Sequence, residues 1–369
     1  MRICHICSNY DGFFNHLMEE QLSKNIDLNV FYFRARERGM PAVTGSYVDI
    51  RLNYSNWHRP FFYLKERSVL KDFLNIYKKG QFEINHAHTL FSNGYIALKA
   101  KEKWGTPYIV AIRDVDINIF LKYRISLRSL GLKIMKEAEN IIFLSSSYQK
   151  QVFEKYIPKK LQKPFLEKTH IIPNGLNPFF LENKFQVKNN AEEKGINILT
   201  IGHICKRKNQ LNVCKAIKIL NNSGFNIKYT IVGKSLDDKL LEKIKSYSFV
   251  TYVPYMPQEK VIDQYRRADI FVMPSLTETF GLVYAEAMSQ GLPIIYTKGQ
   301  GFDGQFEEGE VGYSVDCFNE KDIAQKIVRI LDNYPILSNN ASNLCERFNW
   351  QLINQKYLHL YGEMLNEEN

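Results

Sequence analysis

The strongest chemical signal in this chain comes from two glutamates in one short stretch. In Met273-Pro-Ser-Leu-Thr-Glu-Thr-Phe-Gly-Leu-Val-Tyr-Ala-Glu286 an apolar run ends at Met273, a loop carries Glu278, and a helix is expected to start near Gly281 with its free amides turned back toward the loop. The first turn of a helix has unpaired N–H groups and about half a positive charge, enough to seat a diphosphate without a metal. Glu278 then precedes the helix and Glu286 falls in its second turn, about 10 Å away. Carboxylates so spaced can bracket a nucleotide sugar, one at the sugar and one at the ribose hydroxyls. Alone, each would read as a solvated helix-end residue.

A second polar cluster follows another apolar run, in Ile201-Gly-His-Ile-Cys-Lys-Arg-Lys208. Lys206 and Arg207 read by default as solvated loop residues. Two further patterns carry less. Cys4-His-Ile-Cys7 has the spacing of half a zinc site, but no second pair exists, so a buried strand is the better reading. No Gly-x-Gly-x-x-Gly follows the first strand, which leaves a nicotinamide or flavin site without its phosphate loop.

Taken together, these segments resemble the retaining glycosyltransferases of family 4, which have the two-Rossmann B-type fold. Pro274, Ser275, Glu278, Phe280, Gly281, Glu286, Ala287, Met288, Gly291 and Pro293 match that family's P-S-x-x-E-x-F-G-x-x-x-x-E-A-M-A-x-G-x-P stretch. The resemblance implies that Glu278 lies beside the donor sugar and Glu286 binds the ribose. It assigns Gly202, His203, Lys208, Gly233, Thr279, Phe280, Gly281 and Leu282 to the donor as well, with Lys208 neutralising the diphosphate. His203 stands where the family usually has an arginine, and a neutral imidazole lacks the fixed charge and the bidentate fork.

Other matches span most of the chain. Tyr229-Thr-Ile-Val-Gly233 resembles a family strand end, and Ile172-Pro-Asn-Gly175 resembles a turn in which Asn and Gly suit positive φ. Asn85-His-Ala-His88 resembles the His-Ala-His strand end, which makes His88 a catalytic candidate. Arg113 occupies the place of a cleft histidine and is the fourth catalytic candidate, with Lys208, Glu278 and His88. The first loop, Ser8–Gly12, has one glycine where many members have several, and Gly301-Phe-Asp-Gly304 departs from the usual Gly-Gly-x-x-Glu. Asp114-Val-Asp116 spells the metal tripeptide of the other, A-type glycosyltransferase fold, but lies in the half without the diphosphate signature. No metal and no cofactor beyond the donor are expected.

The elements that must position these residues are short apolar runs alternating with helix-length segments, the pattern of parallel βαβ units. Strands are predicted at Ile3–Ile6, Leu28–Tyr32, Ile84–Ala87, Tyr108–Ile112, Ile141–Leu144 and His170–Ile172. A second set follows at Ile196–Ile201, Tyr229–Val232, Val250–Tyr252, Ile270–Met273, Pro293–Tyr296 and Gly312–Val315. The fold class is α/β, with two Rossmann-like doubly wound sheets facing a cleft. An N-terminal acceptor domain is placed at 1–183, a nucleotide-sugar domain at 184–348 and a helix at 349–369 that could cross back. The polar stretch Glu182–Gly195 reads as the linker.

The 369 residues are 45% hydrophobic and 24% charged, which fits two folded domains and excludes a small stapled module or a disordered chain. No run approaches the roughly 18 apolar residues of a membrane span. Reduced thiols and a cytoplasmic location are expected. The net charge of +10 lies entirely in the first half: residues 1–185 carry +11 and the rest −1. Such a half suits an anionic membrane surface or an acidic polymer. His58–Lys79 and Phe120–Lys136 mix Arg and Lys with apolar residues at roughly helical spacing, as a helix lying in a headgroup layer does, or a surface helix whose stripe faces its own domain.

The expected activity is metal-independent, retaining transfer from a nucleotide diphosphate sugar, with UDP as the expected nucleotide, to a hydroxyl of a glycan or lipid-linked acceptor in cell-surface polysaccharide synthesis. Nucleic acid is not an expected partner. A nucleotide-sugar epimerase of the same architecture and a non-catalytic polyanion-binding protein remain open at this point.

Overall fold

A computed structural model describes residues 1–10, 14–41, 45–185 and 195–366. Asp11 and Gly12 of the first loop and residues 186–194 of the expected linker lie outside the described residues. The chain divides into two compact units: Met1–Leu144 with Gln149–Gly175 and Trp350–Asn369, and Ser145–Tyr148 with Leu176–Asn349.

The first unit is a seven-stranded parallel sheet of β1 (Arg2–Cys7), β2 (Asp27–Ala35), β3 (Val48–Tyr54), β4 (Ile84–Ala87), β5 (Tyr108–Ile112), β6 (Asn140–Phe143) and β7 (Thr169–Ile171), in the order β3-β2-β1-β4-β5-β6-β7. Central strands such as β4 and β5 are buried at every position, because helices cover both faces, and this is why they read as continuous apolar runs. β3 escapes that rule. It pairs with β2 alone and is half-buried over most of its length, so its sequence, VDIRLNY, carries no apolar run and the pattern above omits it. Cys4 and Cys7 are buried in β1 and neither is in a disulfide.

The second unit is a six-stranded parallel sheet of β8 (Ile196–Ile201), β9 (Ile227–Val232), β10 (Val250–Val253), β11 (Ile270–Val272), β12 (Ile294–Thr297) and β13 (Gly312–Val315), ordered β10-β9-β8-β11-β12-β13. All six coincide with predicted strands. Counted within the unit, this is the 3-2-1-4-5-6 order of a dinucleotide-binding sheet, in which the strand order reverses between β8 and β11 and opens a crevice beyond their carboxyl ends. The first sheet repeats the scheme, with its reversal between β1 and β4.

Leu176–Asn183, assigned from sequence to the first half, packs with the second. The Leu176 amide donates to the Phe348 carbonyl at 2.7 Å, and the Phe180 ring lies 6.1 Å from that of Tyr265. The helix Trp350–Asn366 belongs to the first unit, where Ile353, Tyr357, Tyr361 and Met364 join Leu17, Met18 and Ile172 in one core. Its docking corrects the reading of Gly175. Neither Asn174 nor Gly175 has positive φ. A Cβ at Gly175 would instead lie 2.2 Å from the Trp350 indole, so the glycine is required for the ring's close approach.

Candidate functional site

In the second unit the loops leaving β8 and β11 meet at the reversal. The Leu276 amide donates to the Arg207 carbonyl at 2.8 Å, Arg207 Nη1 donates to the Thr277 carbonyl at 2.9 Å, and Asn209 Nδ2 donates to the Pro274 carbonyl at 3.0 Å. These bonds press Lys206–Lys208 onto the loop that carries Glu278, and Lys208 Nζ donates to Glu278 Oε2. Arg207, read from sequence as a solvated residue, has Nη1 3.8 Å from the same oxygen.

The backbone of Glu278 is held on both sides. Its amide donates to Gln300 Oε1 at 3.0 Å, and its carbonyl accepts from Tyr148 Oη and from the Gly301 amide, both at 2.7 Å. A Cβ at Gly301 would fall 1.6 Å from the Thr279 carbonyl, which accounts for glycine at the head of this variant loop. Tyr148 and Gln300 were not legible from sequence, since neither stands in a motif.

The helix that follows runs Leu282–Ser289, with Gly281 at its N-cap at φ 75° and no side chain capping it. The Tyr284 amide donates to the Gly281 carbonyl at 2.9 Å, and no side chain caps the amides of Leu282 and Val283, which follow the Glu278 loop. Phe280 needs a correction: its ring is buried 5.5 Å from that of Phe348 and 6.1 Å from that of Phe302, so only its backbone is free to meet a ligand. Glu286 sits in the second turn and accepts from Tyr265 Oη at 2.7 Å; burial pushes its pKa up to about 7 against that hydrogen bond. Gly202 and Gly233 end β8 and β9 so close together that a Cβ at Gly233 would lie 2.0 Å from the Gly202 carbonyl oxygen. His203 is exposed and Thr279 half-buried.

His88 and Arg113 come together in the first unit, on the carboxyl side of β4 and β5. Arg113 Nε donates to the His88 carbonyl at 2.8 Å, and its Nη1 donates to Asn174 Oδ1 at 2.8 Å. Three groups that the sequence did not single out complete the setting of His88. Gln21 Oε1 lies 2.8 Å from His5 Nε2, His5 Nδ1 lies 3.0 Å from His88 Nε2, and Tyr361 Oη lies 2.7 Å from His86 Nδ1. Burial drives all three imidazole pKa values down, His5 to about 4, so the rings are neutral near pH 7. A carbonyl oxygen at Gln21 makes His5 Nε2 the donor, so His5 Nδ1 accepts and His88 Nε2 donates. His88 Nδ1 is then a buried lone pair with no partner among the described residues.

These imidazoles have ligand atoms within 4.8 Å of one another. They are poorly disposed for a metal: His86 and His88 stack at 4.2 Å and 11°, which aims their in-plane lone pairs side by side instead of at one point. Asp116 of the Asp-x-Asp tripeptide is also committed elsewhere. Its buried carboxylate accepts the amides of Leu90, Phe91 and Arg113 at 2.9–3.2 Å, and burial lifts its pKa to about 6 against those bonds.

Residues 182–348 match the model for Glycosyl transferases group 1, and residues 13–178 match that for Glycosyltransferase Family 4. The alpha-monoglucosyldiacylglycerol synthase of Acholeplasma laidlawii is 25% identical over 296 residues, 74% of this chain and 73% of that protein. Sucrose-phosphate synthase from Thermosynechococcus elongatus superposes over all of both chains with a TM-score of 0.76 at 17% identity. Anabaena HepE, solved with UDP and glucose, superposes over 98% of this chain and all of its own with a TM-score of 0.66 at 14% identity. With two matched models covering both sheets and the same two-Rossmann fold in its structural relatives, the chain belongs to the family 4 glycosyltransferases of the B-type fold.

Proposed function

We propose that this glycosyltransferase moves a hexose or N-acetylhexosamine from a UDP-sugar, with retention and without a metal, to a hydroxyl of a glycan or lipid-linked acceptor used at the cell surface. The observation that carries the reading is the lysine–glutamate pair set against the uncapped N-terminus of Leu282–Ser289. Lys208 and the helix amides are suited to a diphosphate, whose charge grows as the sugar leaves; stabilising that charge is the largest catalytic contribution. Glu278 lies where it can orient the sugar, and Glu286 can accept from the ribose hydroxyls.

Among the described residues of the second unit, no side chain is set as a nucleophile poised on a base. Retention is therefore assigned to front-face attack, in which the acceptor oxygen bonds to the anomeric carbon as the bond to the diphosphate breaks, and the acceptor proton passes to the departing phosphate oxygen. UDP as the nucleotide is supported by the ligand of the Anabaena relative, and a lipid-linked acceptor by the name of the Acholeplasma relative.

Incubation with labelled UDP-glucose, UDP-galactose and UDP-N-acetylglucosamine, with diacylglycerol or polyprenyl-linked acceptors and with EDTA present, tests the reading. An α-linked product from an α-linked donor is expected at an undiminished rate. An inverted product, or activity lost to EDTA and restored by Mn²⁺, would overturn the corresponding part.

A further inference from the structure

Most of the exposed large apolar side chains of the first unit lie in two stretches. Trp57, Phe61 and Tyr63 are 57–61% exposed, and Ile119, Tyr123 and Ile125 are 48–69% exposed. The stretches adjoin: the Phe62 ring lies 5.8 Å from that of Phe120, and Arg124 Nη1 donates to the Pro60 carbonyl at 3.1 Å. Beneath them Phe62 and Leu121 are buried and Phe120 stacks on Phe91 at 4.6 Å. The exposed rings therefore stand on a packed base.

This arrangement differs from the flat amphipathic helices expected from sequence. The helix Phe62–Ile76 turns Phe62, Val69 and Phe73 into its own unit, and the helix Arg128–Glu137 does the same with Ile134 and Met135. The outward apolar surface consists of residues before and at the start of the first helix, and of the π-helical turn Asp116–Leu121 with the residues that follow it.

Charge on the same stretches is one-sided. Arg59, Arg67, Lys71 and Lys122 are exposed. Most neighbouring carboxylates are engaged: Glu66 is buried against Lys65, Asp72 takes a two-pronged bond from Arg51, Asp116 is buried among amides, Asp114 accepts from Asn118, and the exposed Glu37 accepts the Asn56 amide beside Trp57. A face of aromatic and aliphatic tips with cations in excess matches the boundary of an anionic bilayer, where apolar tips enter the acyl edge and cations remain with the phosphates. An acidic protein would answer the cations and leave the apolar tips in water.

We propose that this patch docks the protein on an anionic lipid bilayer. Three residues separate its π-helical turn from β5, at the carboxyl edge of the sheet, the edge that carries His88 and Arg113. Docking there would bring a membrane-borne hydroxyl to that edge, a consequence that rests on the transfer reaction proposed above; the docking itself does not.

Sedimentation of the full chain with vesicles of mixed phosphatidylglycerol and phosphatidylcholine, and with pure phosphatidylcholine, at low and high salt, is the test. Binding to the anionic vesicles alone, weakened by salt, is expected. The triple variant Trp57→Ser, Phe61→Ser, Tyr123→Ser should lower the partition coefficient by at least about tenfold. Arg59→Glu with Lys122→Glu should abolish the preference for anionic lipid. Both variants should hydrolyse UDP-sugar in solution as the parent does, which shows that they fold. Equal binding to both lipids, binding to neither, parent-like binding by both variants, or a dimer that the triple variant dissociates would overturn the proposal. A chain that docks but turns over no nucleotide sugar would sink the transfer reading and leave the docking intact.

Discussion

Lys208 Nζ and Glu278 Oε2 form an ion pair between loops seventy residues apart in sequence, with side chains only 10% and 12% exposed. The cation proposed for the diphosphate and the carboxylate proposed for the sugar thus hold each other. In the proposed reaction a donor would draw the lysine toward its phosphates against that carboxylate. Glu278→Gln should therefore raise affinity for free UDP a few-fold while cutting sugar transfer. Lys208→Ala should lower turnover about 10²-fold or more, since it removes a cation aimed at developing charge. Calorimetry and initial rates decide both; weaker UDP binding by Glu278→Gln, or near-normal turnover by Lys208→Ala, contradicts the assignment.

Glu286 should make donor binding depend on pH. Burial has raised its pKa to about 7, so the free protein holds a proton there that a carboxylate accepting ribose hydroxyls must lose. Affinity for UDP-glucose, whose own phosphates do not titrate in this range, should rise between about pH 6 and 8 with release of a proton, and Glu286→Gln should flatten the profile. Stability runs the other way. A raised carboxyl pKa contributes stability that is full below the ordinary value near 4.5 and is lost as pH climbs through 7. The glutamine variant should thus be more stable than the parent at pH 8, by about 1–3 kcal/mol, and show no gain at pH 4. Calorimetry in buffers of different ionisation enthalpy and melting curves at the two pH values check the two halves.

The histidine chain predicts a single tautomer at His88. With Gln21 Oε1 accepting from His5, the hydrogen of His88 resides on Nε2 and Nδ1 carries the lone pair. Nitrogen-15 chemical shifts of the imidazoles should show Nε2–H at His88. Gln21→Met should scramble that signature and lower kcat more than it weakens donor binding. An Nδ1–H tautomer in the parent, or shifts unaffected by the substitution, would remove Gln21 and His5 from the positioning of His88.

Gly175→Ala should destabilise the first unit. The new methyl would meet the Trp350 indole at 2.2 Å, and displacing a ring packed into the core costs about 1–3 kcal/mol. A lower melting temperature is expected, with Trp350→Leu in the same chain recovering part of the loss. An unchanged melting temperature for the single variant would show that the ring moves without cost.

The sequence by itself determined the two parallel sheets and the local geometry of the Glu278–Glu286 segment. A central strand covered on both faces must be apolar throughout, and the loop, helix start and second-turn glutamate all lie within one local stretch whose geometry follows from helix rise. Edge strand β3 left no such mark, because half of its surface needs no burial. The tertiary structure decided everything that depends on which loops become neighbours. Lys208 meets Glu278 because β8 and β11 are adjacent where the strand order reverses, and Gln21, His5 and Tyr361 meet at the histidines because the helix Trp350–Asn366 packs onto the first sheet. The same holds for the aromatic patch. Helical spacing in Phe62–Ile76 predicts an apolar stripe, but only packing determines that the stripe turns inward while Trp57, Phe61 and Tyr123 remain outside. A local pattern reports period and average burial; long-range contacts among strands fix which side chains share a surface.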